Sequence, residues 1–387
     1  MLGKQRPDNQ PLKANTYKLI PNLNMSIIIF LIILAVLVLV HEFGHFISAK
    51  KLGVRVDEFG LGFPPKIFSK KWGETVYSIN AVPFGGFVKI FGENPDDESI
   101  QGPDSARSFV HKPKWAQVLI LSSGVLMNII LAWVFFSISL MSGLTTGVSD
   151  IPAQYVEDRR VIITSVLSES PAGTSGVRAG EEIMAVVRGS ENVLPQTVEE
   201  VQTLVRESQG VPLDFVLREG TAERTLTVTP LQKADSDVYA VGISMDIVGN
   251  VSLPIHTAFV EGARLTFGLF VGISSHIYNL LAGIVTGTAD FSGVSGPVGI
   301  AGLVGEAREL GFAYLMSFTA FISLNLAVLN LIPFPALDGG RIFFVLIEAV
   351  IRRPIKPVIA NTLNVIGFGL LLLFMIFITV KDVMKIL

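Results

Sequence analysis

The segment His41-Glu42-Phe43-Gly44-His45 carries two imidazoles four positions apart, with a carboxylate beside the first. On a helix that spacing puts both rings on one face, where they can hold a divalent metal with Glu42 next to them as a general base toward water. The pattern alone also fits a polar helix end that is merely solvated. Its setting argues for a metal. An apolar run from Met25 to Val40 precedes His41, and about 24 Å of helix leaves the motif within the hydrocarbon depth of a bilayer. An ionisable residue there costs about 2.5–3.5 kcal/mol on insertion scales and usually marks function. A cation shared by the polar groups would offset that cost.

A catalytic zinc needs a third protein ligand and one open position. The best candidate is Asp338, within the run Asn330 to Gly340 that reads NLIPFPALDGG. Pro333 and Pro335 end a helix there, and Gly339-Gly340 permit a tight turn that aims the carboxylate back inward. The same Asp could equally cap Arg341 or the following helix. The chain has no Cys, so a metal must rest on His, Asp or Glu, a donor set that suits zinc and some other divalent ions.

These residues need elements to hold them. Half of the 387 residues are hydrophobic and 16% are charged, with a mean hydropathy of +0.56. That is too apolar for a soluble protein, and the length predicts a membrane body with a water-soluble part. Net charge is −3 without a dominant basic tract, which argues against a nucleic-acid partner. Residues 1–24 form a polar tail. The apolar run after it ends in the His-Glu motif and not in a small-residue cleavage site, so it reads as a retained helix, 25–46, and not as a signal peptide. Further spans are predicted at 115–140, 311–332 and 361–380, each about 20 residues or more and long enough to cross. The stretch 255–287 is apolar but carries His256, Glu261, Arg264, His276 and Asn279, and is predicted to lie in the interface.

Charge orients the set. The loop from Ser48 to Lys114 has 10 Lys or Arg, whereas the long region from Met141 to Glu309 has about twice as many carboxylates as basic residues. The positive-inside rule puts 47–114 in the cytoplasm and the acidic region outside, against the weaker vote of the basic tail. Asp338 then reaches the His pair on the cytoplasmic side only if 255–287 does not cross. Between residues 154 and 247 the composition is that of a small β-rich domain, with a short amphipathic helix at Val198 to Glu207. A membrane-associated β hairpin is predicted at about 75–91, around Gly85-Gly86.

Together these features resemble the site-2 protease family of intramembrane zinc metalloproteases, of the regulator-of-sigma-E protease type. The resemblance is carried by HEFGH, by VPFGGFVKI (Val82 to Ile90), by Leu126-Met127-Asn128-Ile129, by SGPVGIA (Ser295 to Ala301) and by NLIPFPALDGG. It implies a polytopic α-helical membrane protein of about four transmembrane helices, with a membrane-associated β loop. It implies Zn2+ held by His41, His45 and Asp338, with Glu42 activating water. Asn325 and Asn330 match asparagines that the family holds near the scissile peptide; helix packing would use the same residues. Phe84, Gly85, Gly86 and Phe87 match the loop whose strand edge would keep a substrate extended.

The inserted domain is similar to a PDZ domain on Val161 to Val166, Ser170-Pro171-Ala172, Gly176 to Ile183 and Val241-Gly242-Ile243. It would serve either as a steric filter or to bind a carboxylate at the Ser168 to Ala172 amides. What the resemblance implies is cleavage of transmembrane segments of single-pass membrane proteins, such as an anti-sigma factor, in the cell's inner (cytoplasmic) membrane. The PDZ domain would be extracytoplasmic and the active site near the cytoplasmic side. The lipid bilayer is the other partner, and the oligomeric state stays open. Two alternatives are a non-catalytic PDZ-bearing membrane scaffold and a divalent-metal transporter. Glu42 disfavours the first, because a structural metal needs no base, and the apolar second and fourth spans disfavour the second.

Overall fold

The computed structural model describes residues 16–386 apart from 95, 149–150, 221, 233–237 and 292. Most of the predicted tail, 1–15, lies outside the described residues. The main helices are α1 (Thr16–Lys51), α2 (Lys114–Met141), α3 (Val198–Glu207), α4 (Ile255–Thr286), α5 (Pro297–Glu309), α6 (Phe312–Leu331), α7 (Asp338–Ile351) and α8 (Pro357–Ile386). The main strands are β1 (Val56–Trp72), β2 (Thr75–Ile90), β3 (Leu144–Gly147), β4 (Val156–Val166), β5 (Glu182–Arg188), β6 (Glu191–Val193), β7 (Leu213–Glu219), β8 (Ala222–Val228) and β9 (Ile243–Val251). The chain divides into two units, one made of the residues up to Ser137 and from Phe259 onward, the other of Ile138–Ala258.

Among the described residues, five helices are long and apolar enough to cross a membrane: α1 from Met25, α2, α4, α6 and α8 as far as Met384. Large apolar side chains cover their outer faces; Val365, Phe377 and Met384 on α8 are all exposed. Surfaces of this kind need lipid around them, and the chain is a multi-pass membrane protein with a β-rich domain. The stretch predicted to lie in the interface forms a single helix of 32 residues, α4, so length and composition alone admit a fifth crossing.

The sheet between α1 and α2 is larger than the hairpin predicted at 75–91. Both of its strands fold back on themselves: Glu58 pairs with Val76 and with Lys89, Lys66 pairs with Asn80, and Trp72 pairs with Thr75. Four rows result, in the order 66–72, 75–82, 56–63 and 86–90; each outer row is antiparallel to its neighbour, and the two middle rows run in the same direction. Lysines at 66, 70 and 71 interrupt the alternation that would have revealed the outermost row. The last row, from Gly86 to Ile90, pairs with β1 on one side. Its other edge carries no strand among the described residues.

A cluster of buried apolar side chains ties together the elements around the sheet: Ala49 from α1, Val54, Val56 and Ile90 at the root of the sheet, Ile120 and Leu121 from α2, and Val345 from α7. At the other end of α1, Ile33 and Leu37 bury with Val304 of α5, and α6 packs against the same group.

The second unit is built on a sheet in the order β3-β9-β4-β5-β7-β8, with β6 on the edge of β5. Inward-facing residues of the strands, among them Val161, Ile163, Ile183, Val186, Leu213, Phe215 and Leu217, form its core. Helix α3 closes that core with Val201, Leu204 and Val205. Thr197 caps α3 by accepting from the Glu200 amide at 3.3 Å.

Candidate metal centre

The bend after α6 is written in its residues. Ile332 is extended (φ −63°, ψ 134°) ahead of Pro333, Ala336 takes φ +75°, and α7 starts at Asp338. A Cβ on Gly339 would collide with the carbonyl oxygens of Leu331 and Ile332, so only glycine lets α7 start this close to the end of α6. Asp338 therefore sits in the first turn of α7, where the helix dipole favours a carboxylate.

The carboxylate meets the imidazole pair. His41 Nε2 lies 3.0 Å from Asp338 Oδ2, His45 Nε2 lies 3.4 Å from the same oxygen, and the two Nε2 atoms are 3.2 Å apart. Both rings are buried, each about 7% exposed. Ligand atoms at about 2.0–2.2 Å from a tetrahedral zinc are separated by roughly 3.3–3.5 Å. Three lone-pair donors converging at these separations repel one another unless a cation lies between them. Among the described residues this is the group of His, Asp and Glu side chains close enough to hold a metal.

Helix α2 supplies the layer behind the rings. His45 Nδ1 donates to the Ile120 carbonyl at 2.9 Å, which leaves its Nε2 free to face Asp338. His41 Nδ1 lies 3.2 Å from the side-chain amide of Asn128. Between these two contacts Gly124 lies flat against the rings, and a Cβ there would stand 2.8 Å from His41 Nε2. Ser123 and Ser48 pin the two helices together, Oγ to Oγ at 2.6 Å.

Glu42, His45 and Asp338 open onto a cavity of about 470 Å³, which Asp57, Lys89, Glu93 and Arg341 also line. Its polar wall gives water a path to the centre. Arg341 forms an ion pair with Glu93 there; burial lowers its guanidinium and the charge of Glu42 opposes that shift. The Val88 backbone approaches the Glu42 carboxylate, and a Cβ on Gly86 would lie 3.3 Å from Glu42 Cγ. The edge of β2 that carries no strand among the described residues thus runs beside Glu42.

The remaining predicted residues are more dispersed. Gly86 and Phe87 border the centre; Gly85 takes φ +104° at the turn before them; the Phe84 side chain lies outside the described residues. Asn325 donates its amide to the Phe321 carbonyl at 2.9 Å, and Asn330 sits on the last turn of α6 with no side-chain hydrogen bond among the described residues. Neither lines the cavity. In the Ser168 to Ala172 loop, Ser170 N donates to Leu167 O and Ala172 N donates to Val241 O, and Pro171 has no N–H, so only the Ser168 and Glu169 amides could serve a carboxylate. Sequence reasoning also missed the supporting groups of α2. Asn128 was the readable signal, an amide in the middle of an apolar span.

Known proteins similar to this chain are metalloproteases. Peptidase family M50 matches residues 29–374. A Clostridium perfringens protein named as a putative zinc metalloprotease is 36% identical over 361 residues, covering 93% of this chain and 98% of that protein. The zinc metalloprotease RasP of Geobacillus kaustophilus is 29% identical over 93% of this chain and 98% of its own length. The protein named regulator of sigma-W protease RasP in Bacillus subtilis is 27% identical over the same shares.

Proposed function

The chain belongs to peptidase family M50, the site-2 proteases, and is a zinc metalloprotease of the membrane; from that premise we propose that it cleaves single-pass membrane proteins within their spanning segment. His41, His45 and Asp338 hold the zinc in this reading, and Glu42 is its base. The observation that carries it is the convergence of three ligand atoms at 3.0–3.4 Å beside a polar cavity that Glu42 also lines.

Zinc supplies the Lewis acidity that polarises a peptide carbonyl and acidifies a water molecule. Glu42 takes that proton on its carboxylate and returns it to the leaving nitrogen. The edge from Gly86 to Ile90 holds the unwound substrate as an added strand, its main-chain groups pairing beside Glu42. The unused amide of Asn330 is the better placed of the two asparagines to steady the substrate backbone; that of Asn325 already serves its own helix.

In this reading α4 lies against the bundle and does not add a net crossing. Val304 of α5 packs on Ile33 and Leu37, and Gly305 lies against Ser26, toward the end of α1 remote from His41. A crossing by α4 would have to be undone by residues 287–296 alone. The second unit is a PDZ domain outside the cytoplasm, serving as a steric filter or binding a carboxylate at the Ser168 and Glu169 amides. The catalytic end faces the cytoplasm, where ten basic residues lie between Ser48 and Lys114. The name of the Bacillus subtilis relative supports regulated proteolysis of an anti-sigma factor in the inner membrane as the biological setting.

The test is reconstitution of the purified chain in liposomes with a model single-span substrate. Glu42→Gln is expected to bind zinc and not cleave, and Asp338→Ala to lose both. Cleavage by Glu42→Gln at the wild-type rate refutes the mechanism.

A further inference from the structure

We infer that Asn128 is a positioning residue for His41, its side-chain oxygen accepting the Nδ1–H so that Nε2 stays unprotonated toward His45 and Asp338. The inference rests on the metal role proposed for His41. Asn128 is fully buried in the middle of α2, an expensive place for an amide unless it has a task. Its side chain lies 3.2 Å from His41 Nδ1, drawn with the amide nitrogen facing the ring. That orientation makes Nδ1 the acceptor and puts the imidazole proton on Nε2, the atom 3.0 Å from Asp338. A protonated Nε2 cannot ligate a metal.

Nitrogen and oxygen of an amide have nearly the same shape, and their assignment follows from the hydrogen-bond network. Rotating the Asn128 amide by half a turn brings Oδ1 onto Nδ1–H and frees Nε2. As drawn, Oδ1 is buried without a partner; after rotation the same place is taken by the NH2 group. One amide atom stays unpaired either way, so the His41 proton decides the orientation.

The second imidazole provides an internal comparison. His45 Nδ1 is already held by an acceptor on α2, the Ile120 carbonyl at 2.9 Å. Residues 120, 124 and 128 are spaced one helical turn apart and form one stripe facing α1. The stripe carries a main-chain acceptor for His45, a glycine that lets the rings approach, and a side-chain acceptor for His41. Ser323 of α6 donates to the Asn128 carbonyl at 2.8 Å and holds this turn of α2 in place. Only the His41 half of the arrangement depends on a side chain, so only that half can be removed by substitution.

Zinc affinity of the purified full-length chain, measured in detergent by competition with a chromogenic chelator, tests the inference without reference to proteolysis. Asn128→Leu, close in shape and unable to accept, is expected to bind zinc about 10–100-fold more weakly. Asn128→Asp, which only accepts, is expected to restore wild-type affinity or exceed it. Leucine affinity within twofold of wild type overturns the inference. So does an aspartate variant that binds tenfold or more weakly than wild type, because the amide would then be needed as a donor. If the leucine variant does not fold, the aspartate variant decides alone. His41→Ala separates the premise from the inference. Wild-type affinity in that variant removes the metal role of His41; loss there with no loss in Asn128→Leu removes only the role of Asn128.

Discussion

Gly124→Ala isolates the packing behind the metal centre, because two effects of opposite sign meet at one methyl group. In the interior of α2, alanine should favour the helix by about 1 kcal/mol over glycine. The added Cβ would stand 2.8 Å from His41 Cε1 and Nε2 and closer still to His45 Nε2. Ordinary carbon contacts lie near 3.5–4.0 Å, so the rings or the helix must shift by roughly 1 Å, set by the closest contact, to His45 Nε2. Metal sites tolerate deviations of about 0.2 Å in ligand distance. Overpacking of this kind typically costs about 1–3 kcal/mol, which corresponds to roughly a 5–150-fold loss of zinc affinity. Chelator competition reads the affinity, and thermal unfolding with and without chelator reads the rest. The zinc-free variant should unfold no lower than zinc-free wild type, while the gain in melting temperature on adding zinc should shrink. A Gly124→Ala protein that binds zinc as tightly as wild type would refute the claim that this close approach keeps the imidazoles in register.

Other substitutions probe the framework around the site. Asp382 of α8 accepts from Gly296 N at 2.9 Å and from Gly299 N at 2.8 Å, capping α5; Asp382→Ala should lower the melting temperature by an amount equivalent to about 1–2 kcal/mol. In the second unit, the buried Glu181 carboxylate pairs with Arg224 at 2.6 Å. Arg224→Met should strand that charge and destabilise the unit by about 3 kcal/mol in denaturant unfolding, whereas adding Glu181→Gln should recover part of the loss. Glu74 is held down to about 2 by hydrogen bonds from Arg107 and Lys50. A depressed carboxyl stabilises the fold above its unfolded pKa near 4.5 and loses that contribution as pH falls toward 2. Unfolding followed from pH 6 to pH 2 should therefore show a smaller acid loss in Glu74→Gln than in wild type. The difference should stay under about 1 kcal/mol, because the pair is partly exposed.

The chemistry of the centre could be read from the order of residues because each signal is local. His41 and His45 are one helical turn apart, so any helix through them makes the pair. An apolar run long enough to cross a bilayer is a property of composition, and it placed α1, α2, α6 and α8 from residues alone. The turn signals at Pro333, Pro335 and Gly339-Gly340 likewise announced a bend at Asp338. What residue order left open was everything that needs two distant segments in one place. Whether Asp338 stays a local helix cap or meets the imidazoles depends on α6 and α7 folding against α1, 297 positions away along the chain. The four-row sheet could not be seen in a sequence whose outer row mixes lysines with apolar residues, since β pairing is decided between strands and not within one. The places of Ile120 and Gly124 were invisible for the same reason, and Asn128 showed only as an amide inside an apolar span. A main-chain carbonyl, a missing side chain and an amide acquire meaning only when another helix brings its imidazoles to within hydrogen-bond distance.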